Sequence, residues 1–142
     1  MRFSSIIFSA LLAFMLPAAA YADSDAEHKL VIQVSSSDPL TQKIALNNAV
    51  NVQKALGIDN VDVEIVAYGP GLGLLTKASS QKDRVASLAM QNIKFSACGN
   101  TIKKVTKKKG KPPVLIDGVK VVSAGVLRIM ELQEQGYSYL RP

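Results

Sequence analysis

Apolar residues in this chain alternate between short continuous runs and longer stretches with helical spacing. The first run predicts a strand over residues 29–35 that is covered on both faces. Apolar positions then recur three and four residues apart over 40–56, which predicts a helix. Asp38 followed by Pro39 favours the start of this helix, and Gly57 favours its end.

A second strand is predicted over residues 61–68, where Asp62 and Glu64 alternate with apolar residues. This alternation indicates one solvated face, so we expect the strand to lie near an edge of the sheet. The next segment, residues 69–75, is rich in glycine and leucine and predicts a tight turn leading into a short apolar helix.

The following elements are predicted from capping and stop signals. Ser80 with Asp83 resembles a capping box and predicts a helix that runs to about Gln91. A short strand over 94–97 leads directly to Cys98. Residues 101–109 predict a basic helix, which the next residue, a glycine, would end.

The last part of the chain is harder to assign from its pattern. Residues 114–122 are apolar but interrupted by Asp117 and Gly118, so one strand and a hairpin remain equally compatible. Ser123 is the expected cap of a final helix that ends at Gly136, and a short strand over 137–140 closes the chain.

Strands that alternate with helices predict right-handed crossovers and an α/β fold. We expect a three-layer α/β/α domain with a mostly parallel sheet of about five strands. Ligands of such folds bind beyond the carboxyl ends of the strands, so candidate chemistry is sought there.

The first 22 residues have the features of a secretory signal peptide. Arg2 precedes an apolar run over residues 6–16, which is too short to span a bilayer, and Ala20 and Ala22 supply the small residues of a cleavage site. We expect cleavage after Ala22, a periplasmic location and one mature domain over 23–142. The later sequence predicts no membrane segment.

The formal net charge is +6, and much of the excess is local. Nucleic acid is an improbable partner of an exported chain, and no aromatic residue interrupts the cluster to stack on bases. Small anions, acidic partners or simple solvation account better for a basic helix and its flank that contain Lys103, Lys104, Lys107, Lys108, Lys109 and Lys111.

Cys98 is the only cysteine, so the chain cannot form an internal disulfide. Its position between a strand and a helix places the sulfur near a helix N-terminus, with Asn100 or Thr101 available as the cap. Helix amides and nearby Lys103 would lower the pKa of the thiol and favour the reactive thiolate. The alternative is a buried cysteine that acts only as a small apolar residue.

The turn that contains Gly69 and Gly71 is a second candidate site, because its amides could converge on an anion. It matches neither a phosphate-binding loop nor a dinucleotide fingerprint, and a purely structural tight turn explains it as well. His28 has no second histidine or nearby cysteine with which to bind a metal. The sequence therefore predicts no metal and no cofactor.

Several stretches together resemble the DsrE/DsrF-like proteins, particularly their exported single-domain branch. The more specific elements are the Gly-Pro-Gly turn and Cys-Gly-Asn-Thr. The resembling segments are residues 34–38, 46–48 with Asn51, 66–71, 95–101, 124–126 and 132–137.

This resemblance implies a parallel α/β/α domain that assembles into trimers or hexamers. In sulfur-relay relatives, a cysteine before the third main helix carries sulfur between proteins as a persulfide, and Cys98 occupies the similar place. The resemblance therefore implies that sulfur donor and acceptor proteins, or small sulfur anions, are its partners. Gly69, Gly71, Asn100 and Thr101 are inferred to line the same edge.

The leading hypothesis is a periplasmic sulfur carrier or sulfurtransferase-like protein with a persulfide on Cys98. In it, the helix N-terminus and Lys103 stabilise the thiolate and an anionic substrate. The main alternative is a non-catalytic protein that binds a small anion, or an oligomeric accessory protein with a structural cysteine. A redox sensor that forms a sulfenate or a mixed disulfide is a third possibility.

Overall fold

Five parallel strands form one sheet in the computed structural model, which describes residues 25–142. The predicted signal peptide lies outside the described residues. The order of the strands across the sheet is β4-β3-β2-β1-β5. Their bounds are β1 (His28–Val34), β2 (Val61–Ala67), β3 (Ile93–Cys98), β4 (Lys120–Val122) and β5 (Ser138–Leu140).

Helices connect successive strands, and one 3-10 helix, Gly69–Leu75, follows β2. The chain steps in one direction from β1 to β4 and then crosses back to β5. Right-handed crossovers put the connecting helices of these two directions on opposite faces of the sheet. The helices are α1 (Pro39–Leu56), α2 (Lys82–Ala89), α3 (Gly99–Lys109) and α4 (Gly125–Glu134).

The two faces of the sheet have different cores, and together they confirm the three-layer α/β/α prediction. Ile65 and Phe95 belong to the larger core, against which residues of α1, α2, α3 and the 3-10 helix pack. On the other face, Val31 and Val66 form a smaller cluster with Ile129 of α4.

Helix α1 begins and ends as predicted. The Asp38 carboxylate accepts hydrogen bonds from the Thr41 backbone N–H at 2.7 Å and from its hydroxyl at 2.8 Å. The backbone bond is the main cause that lowers the pKa of Asp38 below its ordinary value. At the other end Gly57 has φ +91°, a conformation that favours glycine.

Strand β2 lies at the centre of the sheet, so the prediction of an edge strand with a solvated face is wrong. All its residues are buried. Its polar side chains are buried under α4 rather than solvated. Glu64, 2% exposed, accepts hydrogen bonds from Arg128 Nε at 2.8 Å, from Arg128 Nη2 at 2.7 Å and from the Ser96 hydroxyl at 2.6 Å.

Asp62 is satisfied in a similar way. Its carboxylate accepts a hydrogen bond from the Tyr137 hydroxyl at 2.6 Å and forms an ion pair with Lys94. Burial, followed by the bond to Asp62, raises the pKa of Tyr137, so this phenol stays protonated and donates. This face of β2 therefore combines two paired carboxylates with the apolar side chain of Val66.

Two predicted helix caps differ from those observed. Helix α2 begins at Lys82 after Gln81, so the predicted capping box starting at Ser80 does not form. Helix α4 has Ala124 at its N-cap, and no side chain caps it, so Ser123 does not have the predicted role. In both cases the helix begins one residue later than predicted. A serine near a helix start indicates where the helix begins only to within about one residue.

The structure of residues 114–122 differs from both alternatives that their pattern left open. It is neither one strand nor a hairpin: Leu115 forms an isolated antiparallel bridge with Thr76, and only residues 120–122 join the sheet. At the other end of the chain, His28 begins β1 rather than lying in a polar leader.

No helix within residues 25–142 combines the length and the apolar character needed to cross a membrane.

The buried ion pair of Glu64 leads to a test of what holds α4 in place. Replacing Arg128 with Met keeps an apolar stem but leaves the Glu64 carboxylate without its cation. We expect the free energy of unfolding at neutral pH to fall by about 3 kcal/mol. Urea unfolding followed by circular dichroism measures it.

The matched control is Glu131→Gln, which removes the other ion pair of Arg128, at 3.6 Å. Glu131 is 44% exposed, so this change should cost less than about 1 kcal/mol. Equal losses in the two variants would contradict the assigned role of Glu64.

Candidate functional site

Cys98 is the last residue of β3 and immediately precedes α3, at the carboxyl edge of the sheet. Its extended backbone (φ −70°, ψ 116°) makes it the N-cap residue of α3. The helix therefore begins at Gly99, two residues earlier than predicted, and Asn100 and Thr101 belong to its first turn. The cysteine residue is 5% exposed.

Hydrogen-bond donors from two helices affect the pKa of the Cys98 thiol. Burial acts to raise the pKa of the thiol, but hydrogen bonds outweigh it. They come from the Thr101 hydroxyl and from the backbone amides of Gly125, Thr101 and Asn100, so the net pKa is lowered. Amides in the first turn of a helix lack internal partners and favour an anion, and the starts of α3 and α4 both supply such groups.

Thr101 connects the glycine-rich turn to the thiol. The Gly69 backbone N–H donates to Thr101 Oγ1 at 2.9 Å, so the threonine oxygen accepts on one side while its proton is available to the sulfur. The structure thus brings together four of the residues that the sequence predicts at one edge: Gly69, Cys98, Asn100 and Thr101.

Close backbone packing places the start of α4 beside the start of α3. The Asn100 N–H also donates to the Ser123 carbonyl at 3.3 Å. A Cβ atom at Gly99 would lie 2.8 Å from the Val122 carbonyl oxygen, so a side chain there would force the two segments apart. The absence of a side chain at Gly99 lets the Gly125 amide reach the sulfur.

Gly71 has a packing role in the turn after β2. A Cβ atom there would lie 2.2 Å from the Val34 carbonyl oxygen, closer than any side chain allows. The Gly71 N–H donates to the Tyr68 carbonyl at 3.1 Å, and the Gly69 N–H is taken by Thr101. Neither amide is left over for the anion-binding role predicted for this turn.

Lys103 is exposed on α3 and is not among the groups that form hydrogen bonds to the sulfur. Because α3 begins at Gly99, Lys103 lies beyond the first turn of this helix. Its predicted contribution is therefore limited to the general positive field of this helix, while the direct stabilisation of the thiolate comes from uncharged donors.

Sequence reasoning missed two contributors to this site. The Gly125 amide lies 27 positions beyond Cys98 in the chain and approaches it because β4 pairs with β3, with Cys98 opposite Val122. Arg128 anchors the same helix to Glu64. A signal for this anchor was available, since an arginine within an apolar helix and two carboxylates within an apolar strand are each unusual unless paired.

No group of three or more histidine, cysteine, aspartate or glutamate side chains suited to holding a metal ion occurs within residues 25–142.

A small parallel α/β/α domain with a cysteine at the carboxyl edge of β3, where two helix N-termini meet, defines the class of this protein. The model of the DsrE/DsrF-like family matches residues 28–142, nearly all of the described chain. The protein belongs to the DsrE/DsrF-like family, as its resemblance in sequence had indicated.

Solved structures agree with this assignment. A protein of unknown function from Methanobacterium thermoautotrophicum, MTH1491, is 31% identical, with a TM-score of 0.73 over 81% of this chain and 99% of its own. The YchN protein from E. coli is 17% identical, with a TM-score of 0.61 over the same shares, and is similar in fold. Among curated proteins, no significant match was found.

The hydrogen bond from Thr101 gives a direct test of the site. Thr101→Val keeps the shape of the side chain but removes the hydroxyl that donates to the sulfur and accepts from Gly69. We expect the pKa of Cys98 to rise, so that alkylation by iodoacetamide requires a higher pH. The pH dependence of the alkylation rate measures this change.

Thr106→Val is the matched control, because Thr106 lies on the same helix and its hydroxyl donates to the Ile102 carbonyl at 2.9 Å instead. Thr106→Val should keep the native pH dependence of alkylation. Thr101→Ser, which has the hydroxyl that Thr101→Val lacks, should also show the native pH dependence. The same pH dependence in Thr101→Val as in the native protein would contradict the role assigned to the Thr101 hydroxyl.

Proposed function

We propose that this protein is a sulfur carrier that holds sulfane sulfur as a persulfide on Cys98. The observation that carries the proposal is the set of four donors around the sulfur, which lower the pKa of the thiol despite its burial. A cysteine that only fills space is expected in apolar surroundings, which raise the pKa instead. A thiolate is the form that attacks sulfur.

The proposed reaction has two balanced steps. The Cys98 thiolate attacks the sulfane sulfur of thiosulfate, an S–S bond forms to the protein, and sulfite leaves with the electron pair of the broken S–S bond. An acceptor thiolate then attacks the outer sulfur of the persulfide and returns Cys98 as a thiolate. The amides of Asn100, Thr101 and Gly125 would stabilise the negative charge before and after each step.

Access to the sulfur favours small donors. With only 5% of Cys98 exposed, a compact anion such as thiosulfate or a short polysulfide fits the approach better than a folded donor does. The exposed lysines of α3 would raise the local concentration of such anions. A protein acceptor would have to present its thiol on a narrow, extended segment.

Export and self-association are parts of the same proposal. Residues 1–22 have the sequence pattern of a signal peptide, which supports a periplasmic carrier. Val126, Leu127 and Met130 are exposed apolar residues on α4, which supports a homo-oligomer such as a trimer or hexamer. Nucleic acid and membrane are not among the proposed partners.

A second candidate function rests on the burial itself. An accessory protein with a structural cysteine needs no access to the sulfur, and the small exposed fraction of Cys98 favours this alternative. It predicts a thiol that reacts with alkylating reagents only after the protein unfolds.

Intact-mass spectrometry tests the proposal. The protein, purified without reductant, is incubated with thiosulfate or polysulfide beside a Cys98→Ser variant. We expect the native protein to gain one sulfur atom, which a reductant removes, because the persulfide can form only on a cysteine sulfur. The variant should gain none.

Circular dichroism of both proteins checks that the substitution leaves the fold intact. Equal sulfur gain by the variant would exclude Cys98 as the carrier. No gain by the native protein, together with a thiol that is silent to alkylation until unfolding, would replace the carrier with the accessory protein.

A further inference from the structure

A groove of about 750 Å³ lies between the glycine-rich turn, the end of α3 and the segment that follows it. It opens on the side of the sheet occupied by α3. Its lining is mostly apolar, with lysines among the polar residues. The lining residues on which the argument depends are Leu72, Val105, Val114, Lys77, Lys109 and Lys111.

The charge along the groove is positive. Lys77 forms an ion pair with Asp117 at 3.4 Å, in which both side chains are well exposed. Lys109 and Lys111 have no ion-pair partner within residues 25–142, and both are exposed. An apolar lining with unneutralised cations beside it is complementary to an anion that has an apolar body.

The wall of the groove is fixed by backbone hydrogen bonds. The Lys77 N–H donates to the Val114 carbonyl at 2.8 Å, and the Ile116 N–H donates to the Leu75 carbonyl at 3.0 Å. These two bonds pair the segments against each other and occupy the four bonded backbone groups, which are therefore not available to a further strand. The wall is thus held in place, and the side chains that line it would make the contacts with a ligand.

We propose that this groove binds a small organic anion, an apolar body that carries one carboxylate or sulfonate. Its volume is within the range of about 300–1,000 Å³ that is usual for small-molecule sites. The apolar body would contact Leu72, Val105 and Val114, and the anionic group would lie near Lys109 and Lys111. This site is distinct from the proposed sulfur chemistry, because only Gly69 belongs to both the groove and the hydrogen bonds that lead to Cys98.

The experiment is a fluorescence titration of the full chain with 8-anilinonaphthalene-1-sulfonate, which has an apolar body and one sulfonate. We expect saturable binding that weakens as salt is raised. Lys109→Glu with Lys111→Glu should weaken binding by about tenfold or more, since both lysines become repulsive. Val114→Asp should weaken binding similarly, because it places a negative charge in the groove. Val114 is 65% exposed, so a polar side chain there should leave the protein folded.

Two controls match these variants in chemistry. Lys107→Glu with Lys108→Glu makes the same charge change in the last turn of α3 outside the groove, and Leu40→Asp places the same aspartate at an apolar residue of α1 that is 64% exposed. Both should bind the probe within about twofold of the native protein, which is a free-energy difference of about 0.4 kcal/mol. Circular dichroism confirms that each variant is folded.

Several results would overturn the proposal. These are the absence of saturable binding, native affinity in both groove variants, or equal loss in the controls, which would place the probe on another surface. Loss of the signal as protein concentration rises would assign the groove to a second copy of the chain. An acidic peptide that binds where the probe does not would assign it to a protein partner.

Discussion

The ion pair between Arg128 and the buried Glu64 carboxylate connects the centre of the sheet to the only helix that the described chain places on that face. Helix α4 has a small apolar contact area, since its cluster with the sheet contains few buried residues. The bidentate, charge-assisted bond from Arg128 to Glu64 therefore holds α4 against the sheet and also sets its position along the sheet. Because α4 begins beside Cys98, the position of the Gly125 amide, a donor to the sulfur, depends on the ion pair between Arg128 and Glu64.

The environment of Cys98 shows two opposing effects with a clear outcome. Burial alone would keep the thiol protonated, as in an ordinary core position. Amides from the first turns of α3 and α4, together with the Thr101 hydroxyl, lower the pKa instead. None of these groups has a charge, so high salt should weaken their effect less than it would weaken an ion pair with an exposed lysine. In the proposed function, the lysines of α3 would attract anions to the site, and the uncharged donors would stabilise the thiolate.

Much of the architecture follows from local sequence. The parallel α/β/α layers are predicted by the alternation of strand and helix patterns along the chain, and this prediction is confirmed. The capping of α1 by Asp38 and the strand–helix junction that holds Cys98 depend on residues close together in the chain, and they are confirmed as well. The error at β2 has a different origin. The alternation of Asp62 and Glu64 predicts a solvated face, whereas the structure buries both side chains, because their partners Tyr137 and Arg128 lie 75 and 64 positions away in the chain.

The residues of the candidate site likewise include some that local sequence predicts and some that depend on long-range packing. Proximity of Cys98 to Thr101 could be predicted, because both lie at the start of one helix. The Gly125 amide could not, because its approach depends on the pairing of β3 with β4 and on the lack of a side chain at Gly99. Local pattern therefore predicts which residue could react, while long-range packing determines how its charge is stabilised.

Backbone amides from two helices favour the thiolate form of Cys98. The most direct measurement is a pH titration of the thiolate ultraviolet absorbance in the folded native protein, with Cys98→Ser subtracted to remove the tyrosine signal. We expect a pKa of Cys98 below that of the same cysteine in the unfolded chain. A pKa at or above the unfolded value would contradict it and would make Cys98 an ordinary buried residue.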